Sequence, residues 1–208
     1  MGQSCCGCPA SNIGDVENAV KTAELNIEAM NAGEYAYIVS ACPSCTHQLK
    51  MYETFFEEGS DMYKKAKELG DKSVDFCKVF YDEGGLQDAG DGKEITVTYH
   101  DSCHLKRSLG VTEEQRELLT HTKGVTLKEM ADHDVCCGFA GSYSIQYPEI
   151  SAEILAKKIE NIKECGADCV VMDCPGCMMQ IKGGLDAHGL DIDVKHTAEL
   201  IAEKRGLV

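Results

Sequence analysis

The sequence predicts an α/β fold built from two pseudo-repeated units, each a parallel sheet flanked by helices, with the first unit incomplete. Three observations predict it. Strand-like and helix-like segments alternate through the second half of the chain, the pattern that builds a parallel sheet by crossover connections. One cysteine pattern is written twice: Cys5-Cys6-Gly7 precedes Cys42-Pro43-Ser44-Cys45 by 35 residues (7–41), and Cys136-Cys137-Gly138 precedes Cys174-Pro175-Gly176-Cys177 by 36 (138–173). The second copy also has Cys103, 32 residues (104–135) ahead of its pair, with a strand and a helix around it, whereas only Met1 to Ser4 precede the first pair. The first repeat therefore lacks its opening third, as expected of a piece of a longer protein or of a unit completed by another chain.

The elements read as follows. An amphipathic helix spans about Asp15 to Ala32, with Gly33 as its stop. Tyr35 to Val39 is a strand running into Cys42, and a Thr46-capped helix with Leu49, Tyr52, Phe55 and Phe56 follows. Ser60 to Asp71 is a further helix or an insertion, and Asp75 to Asp82 resembles the later segment Lys195 to Ala202. Glu83 to Glu94, rich in Gly and Asp, is the connecting stretch. The expected division is a first unit at 1–86, a linker at 87–94 and a complete second unit at 95–208. In that second unit Ile95 to Tyr99 alternates β-branched and aromatic residues as a strand does. Thr112 and Gln115 form a capping-box pair for a helix through about His121, and Val125 to Leu127 is a short strand. Pro148 opens a long helix with Ile150, Ile154, Leu155, Ile159 and Ile162 on one face and Gly166 at its end. Cys169 to Asp173 is a buried strand ending at Cys174; Met178 to Ala187 is a helix weakened by Gly183 and Gly184. Ile192 to Val194 is the last strand, and Thr197 caps a final helix through Arg205.

With 208 residues, 43% hydrophobic, the chain can bury real cores without disulfide staples. The 13 cysteines are an odd number, and no segment resembles a signal peptide, so the thiols read as reduced, cytoplasmic and mostly metal-bound. No run approaches the roughly 20 apolar residues of a membrane helix, so any membrane association is expected through a partner. A net charge of −15, from 35 acidic and 20 basic residues, argues against nucleic acid, whose binders present basic patches.

Thiolates are soft ligands suited to zinc, copper(I) and iron–sulfur clusters. Zinc ribbons and fingers use two short Cys-x-x-Cys knuckles, whereas here one knuckle joins a distant vicinal pair. Vicinal thiols crowd one tetrahedral ion but can serve two irons of a cluster, which favours iron–sulfur over zinc. Each Cys-x-x-Cys follows a strand and opens a helix, placing it at the carboxyl edge of a parallel sheet, where free N–H groups and the helix dipole favour an anion. Gly7, Gly138, Gly141 and Gly176 would let the backbone approach closely, or serve ordinary turns.

These motifs resemble the cysteine-rich CCG family, whose signature is Cys, then Cys-Cys-Gly, then Cys-x-x-Cys. The family includes heterodisulfide reductase subunits B and D and the iron–sulfur subunits of lactate and glycolate oxidases. The segments YHDSCHLKRSLG (99–110), CCGFAGSYS (136–144) and YPEIS (147–151) look most like the lactate/glycolate and subunit-D branch. The resemblance implies Rossmann-like CCG domains and a [4Fe-4S] cluster, cubane or non-cubane, on Cys103, Cys136, Cys137, Cys174 and Cys177. It implies a second, weaker site on Cys5, Cys6, Cys42 and Cys45, where the leading cysteine is absent, Cys8 could substitute and zinc is an alternative occupant. It implies a redox subunit passing electrons between a flavoprotein dehydrogenase and a ferredoxin-type or other carrier. A thiol/disulfide reductase with a catalytic cluster and a zinc-stabilised scaffold are the alternatives.

Outside the motifs, Cys77, Cys165 and Cys169 read as buried structural cysteines. His100 and His104, flanking Cys103, read equally as hydrogen-bond donors to a cluster or substrate sulfur and as packing groups. His47 is a weaker case of the same kind, Asp101 reads as a local cap, and His196 as structural.

Overall fold

A computed structural model describes residues 2–31, 33–87 and 89–208. Ala32, the expected end of the first helix, and Asp88, in the expected linker, lie outside the described residues, as does Met1. The chain divides into two compact units, Met1–Asp75 and Phe76–Val208. The division falls ahead of the expected one because the helix after Asp75 packs among second-unit residues.

The first unit opens with the short helix α1 (Cys8–Asn12) and the longer α2 (Val16–Met30). Asp15 caps α2, its carboxylate accepting from the Asn18 N–H at 3.3 Å. Strand β1 (Ile38–Ser40) leads through Cys42 into α3 (Pro43–Met51), a 3₁₀ turn follows at Tyr52–Phe55, and then come α4 (Asp61–Lys72) and β2 (Ser73–Asp75). The segment expected as a helix or an insertion is thus the helix α4, and its cap is Ser60. β1 and β2 pair in parallel, Val39 opposite Val74. Ala23, Ile27, Leu49, Tyr52, Ala66 and Leu69 form the core of this unit.

The second unit begins with α5 (Phe76–Asp82), whose buried Cys77 clusters with Leu118 and Ile201. It continues with β3 (Ile95–Tyr99), a π-helical turn at His104–Ser108, α6 (Glu114–Thr120), β4 (Val125–Leu127) and α7 (Tyr143–Gln146). Then follow α8 (Pro148–Cys165), β5 (Cys169–Met172), α9 (Pro175–Ala187), β6 (Asp193–His196) and α10 (Thr197–Lys204). The sheet is parallel throughout, in the order β4-β3-β5-β6. β5 is buried along its whole length, which is why its sequence, CVVM, is continuously apolar. α8 and α9 cover one face around Ile159, Ile162, Val170, Met172 and Ile181, while Tyr99, Leu119, Val171 and Leu200 gather on the other.

The duplication is visible in the order of elements. After each Cys-Cys-Gly turn come a helix (α2, α8), a strand (β1, β5), a cysteine-capped helix (α3, α9), a parallel neighbour strand (β2, β6) and an immediate helix (α5, α10). Strands equivalent to β3 and β4 are absent from the first sheet among the described residues.

Three expected helix starts are corrected. α6 begins at Glu114, not at a Thr112 cap: the Glu114 carboxylate takes the Thr112 N–H at 3.1 Å, and the Gln115 amide turns back to the Val111 carbonyl at 3.2 Å. α3 is capped by Cys42; Thr46 lies inside the helix, its hydroxyl donating to the Cys42 carbonyl. α10 is capped by His196, whose Nδ1 accepts from the Ala198 N–H at 3.0 Å, so that Nε2 carries the proton and donates to the Asp173 carbonyl at 3.1 Å.

Gly183 and Gly184 sit side by side in α9 with opposite roles. A Cβ on Gly183 would meet nothing within 4 Å, whereas one on Gly184 would stand 2.9 Å from Ile159 and 3.0 Å from Leu155 of α8. Gly183→Ala should therefore stabilise the chain by up to about 1 kcal/mol through helix propensity, and Gly184→Leu should destabilise it by about 1–3 kcal/mol through overpacking. Urea denaturation of the two variants checks this; equal effects would mean that α8 and α9 do not approach so closely.

Candidate metal centre

The order β4-β3-β5-β6 makes the chain step from β3 to one side, then return to the other. The topological switch point therefore lies between β3 and β5, and in such sheets ligands collect outside the strand carboxyl ends at that point. His100 to Cys103 leave β3 there, and Cys174 leaves β5. Cys174 caps α9 and Cys177 lies in its first turn, so both thiols stand where backbone N–H groups lack helical partners. Pro175 at the first helical position withholds none of the remaining donors.

The turn carrying Cys136 and Cys137 is brought to the same place by the loop between β4 and α8. Gly138 has φ +90°, and a Cβ on it would strike the Ser151 carbonyl at 2.6 Å. The Ser151 hydroxyl donates to the Gly138 carbonyl at 2.9 Å, and the Gln180 amide donates to Ser151 at 3.0 Å. Asp132 and Ala140, on either side of the pair, also have positive φ, 50° and 41°, and residues other than glycine seldom adopt this region. The Lys158 ammonium, buried on α8, holds the Asp132 carbonyl.

The five thiols converge. Cys137 accepts hydrogen bonds from Cys136 and Cys177, with His100 beside it, and these hold it well below the usual thiol range against the opposing effect of burial. Cys136 and Cys177 are pushed up as its donors, Cys177 also by its hydrogen bond with Cys174. Burial raises Cys103, and so does the charge of Cys174 and Cys137 nearby. His100, Cys137 and Cys177 are buried, and their ligand atoms lie within 4.8 Å of one another. Cys103 and Cys136 are exposed, so the cluster of thiols has a buried floor and an open rim. The His100 Nδ1 is buried without a hydrogen-bond partner among the described residues. A soft cation or a metal–sulfide cluster fits this donor set: mutually hydrogen-bonded thiols at a helix N-terminus, with a buried imidazole beside them.

Behind the rim lies a charge network that sequence reasoning placed wrongly. Asp101 is not a cap. Its buried carboxylate accepts from Arg116 at 2.9 Å and from His133 at 2.8 Å, with Lys106 at 3.4 Å. Burial opposes its ionisation, but Arg116 and His133 outweigh that and keep it below the usual carboxylate range. Arg116 also pairs with Glu129 at 2.6 Å. Lys158 was missed as well; its signal was a lysine four residues from both Ile154 and Ile162, on the apolar stripe of α8.

The first unit repeats the arrangement. Cys42 caps α3 and Cys45 lies in its first turn. Cys6, the counterpart of Cys137, is lowered to about 6 by a hydrogen bond from Cys45, with burial opposing and Cys5 contributing. Cys45 is raised by hydrogen bonds with Cys42 and Cys6. Cys8 is buried at the start of α1; burial raises it to about 11, and so do the charges of Cys6, Cys42 and Cys5. A fifth thiol therefore stands beside these four, although the first sheet has no strand corresponding to β3 among the described residues. The Cys5-Cys6 segment is tied down: the buried Asn26 amide donates to the Cys5 carbonyl at 2.8 Å, and the Tyr52 hydroxyl to the Cys6 carbonyl at 2.8 Å. Asn26 and Tyr52 also bond each other at 2.9 Å. Cys6 and Cys45 are only half-buried, where Cys137 and Cys177 are buried.

Cys77, Cys165 and Cys169 are buried apart from these sites; Cys77 donates to the Asp173 carboxylate at 3.1 Å. No helix among the described residues is long and apolar enough to cross a membrane.

Comparison with known proteins agrees with this geometry. The family model described as a cysteine-rich domain, CCG, matches residues 1–50 and 97–182, once in each half. Lactate utilization protein A 1 of Bacillus mycoides is 38% identical over 205 residues, covering 98% of this chain and 82% of that protein. Lactate utilization protein A of Bacillus subtilis is 36% identical over 201 residues, covering 96% and 83%. That of Oceanobacillus iheyensis is 36% identical over 203 residues, covering 98% and 82%.

Because Asp101 anchors the Cys103 segment from a buried position, Asp101→Ala should destabilise the metal-free chain by about 3 kcal/mol, the scale of stranding buried charge partners. Glu129→Gln, at the exposed end of the same network, should lose less than about 1 kcal/mol. Anaerobic urea denaturation separates them; a small loss in both would remove Asp101 from its anchoring role.

Proposed function

The chain belongs to the cysteine-rich CCG family, and on that premise we propose that it is an iron–sulfur redox subunit of a lactate-oxidising system. The observation that carries the reading is the convergence of Cys103, Cys136, Cys137, Cys174 and Cys177 at the switch point of a parallel sheet. The names of the relatives support lactate utilisation as the setting.

A [4Fe-4S] cluster on these cysteines would supply one-electron chemistry. Cys137 and Cys177 form its buried floor, shielding that side from water. Cys103 and Cys136, which are exposed, would form the edge of the site open to a partner. The first turn of α9 offers free N–H groups to the negative charge of the thiolates. Five thiols exceed the four ligands of a cubane, which favours a non-cubane cluster. Cys5, Cys6, Cys42 and Cys45, with Cys8 beside them, form the second and weaker site; its thiols are more exposed, and a cubane cluster or zinc is its occupant.

The partners are a flavoprotein dehydrogenase as electron donor and a ferredoxin-type subunit or other carrier as acceptor. The chain works in the cytoplasm and reaches a membrane only through such a partner. Its net charge of −15 fits protein partners better than nucleic acid. A thiol/disulfide reductase is the second reading, favoured by the exposed rim of Cys103 and Cys136, which leaves room for a substrate sulfur.

Paired substitution tests the assignment. After anaerobic reconstitution, Cys174→Ser should remove most of the iron and the EPR signal, and Cys42→Ser much less. Equal losses would establish two equivalent clusters and overturn the ranking of the sites; no loss from Cys174→Ser would overturn the ligand assignment. Disulfide turnover by the isolated chain would favour the second reading.

A further inference from the structure

We propose that His100 is a positioning residue of the second site, where its buried imidazole donates a hydrogen bond to the Cys137–Cys177 sulfurs and raises the reduction potential of that cluster alone. The inference rests on the iron–sulfur reading above and extends it to a residue outside the cysteine signature.

Four observations place His100 in this role. It is 1% exposed, so its ring cannot turn to water for a partner. A ring nitrogen lies within 4.8 Å of the sulfurs of both Cys137 and Cys177. Its backbone N–H donates to the Val171 carbonyl at 2.9 Å, which extends β3 alongside β5 and fixes the residue to the sheet rather than to a loop. Its Nδ1 is buried with no partner among the described residues, and a buried polar group is stable only when a partner is supplied. For the ring nitrogen beside Cys137 and Cys177, the sulfurs of the site are the acceptors within reach, and His100 already hydrogen-bonds to Cys137.

The site already has five thiols, so a nitrogen ligand is surplus to it, while an N–H donor is not. Hydrogen bonds to the sulfurs are among the factors that set the potential of such clusters. A donor stabilises the extra negative charge of the reduced state, so the sign is a more positive potential. The effect is confined to one site because the first sheet has no strand matching β3 among the described residues. Two sites with like thiol arrangements would thereby differ in potential.

The test is an EPR-monitored redox titration of the full chain, reconstituted anaerobically in a Cys42→Ser background so that the second site dominates the signal. The parent, His100→Leu and His100→Asn are compared, with iron and sulfide measured in each. The expected result is equal iron and sulfide in all three, a midpoint shifted to more negative potential in His100→Leu, and partial recovery in His100→Asn, which keeps an N–H donor. Equal midpoints in loaded samples would overturn the inference and leave the cluster reading intact. Loss of iron from both variants would make His100 a ligand and overturn the positioning role. A parent that takes up no iron and sulfide would instead overturn the cluster reading, and this inference with it.

Discussion

Five thiols gathered at one point cannot all ionise, and the rest of the second unit is arranged around that constraint. Each added thiolate raises its neighbours: Cys136 and Cys177 are pushed up while their hydrogen bonds lower Cys137, and the charge of Cys174 and Cys137 raises Cys103. The chain brings these groups together at some expense in conformation, with positive φ at Asp132, Gly138 and Ala140 and a buried lysine holding the loop. Such an arrangement is stable only if something offsets the crowding. The N-terminus of α9 offsets part of it, and a cation or cluster would offset the remainder by letting every thiol ionise.

Duplication supplied the same device twice, on unequal supports. Both copies keep the Cys-Cys-Gly turn, a helix, a strand and a cysteine-capped helix, and in both the second cysteine of the pair is the thiol that accepts. The second copy adds β3 and β4, which contribute Cys103, His100 and the Asp101 network. The first copy has two strands among the described residues and substitutes local bonds: Asn26 and Tyr52 hold the Cys5-Cys6 carbonyls, and Cys8 stands beside the thiols. Hydrogen bonds from these buried groups fix the Cys5-Cys6 segment.

Much of this was legible in the sequence because the signals were local. β3, β4, β5 and α8 fall where β-branched runs, a first-turn proline and a terminal glycine place them, and Gly166 adopts the left-handed φ of 66° that ends α8. The repeated cysteine spacing marked the two groups of thiols that the fold draws together. What stayed hidden depends on tertiary partners. His196, not Thr197, caps α10 because its other nitrogen reaches the Asp173 carbonyl across the sheet. Asp101 looked like a cap because Arg116 and His133, 15 and 32 residues away in sequence, converge on it only in the fold. α5 belongs with the second unit because Cys77 and Phe76 pack with Leu118 and Ile201, a preference that no local pattern records. β1 begins at Ile38, not Tyr35, and Tyr35 and Tyr37 are 41% and 46% exposed, so aromatic content overstated the strand.

The central claim is that the switch point of the second sheet holds iron and sulfide on its cysteines. Metal and acid-labile sulfide analysis of the anaerobically purified chain, read beside its visible absorption, tests it most directly. Iron and sulfide in equal amounts, with a brown chromophore lost on Cys137→Ser, is the predicted result. A colourless protein carrying zinc and no sulfide would contradict the account and make His100, Cys137 and Cys177 the core of a structural zinc site instead.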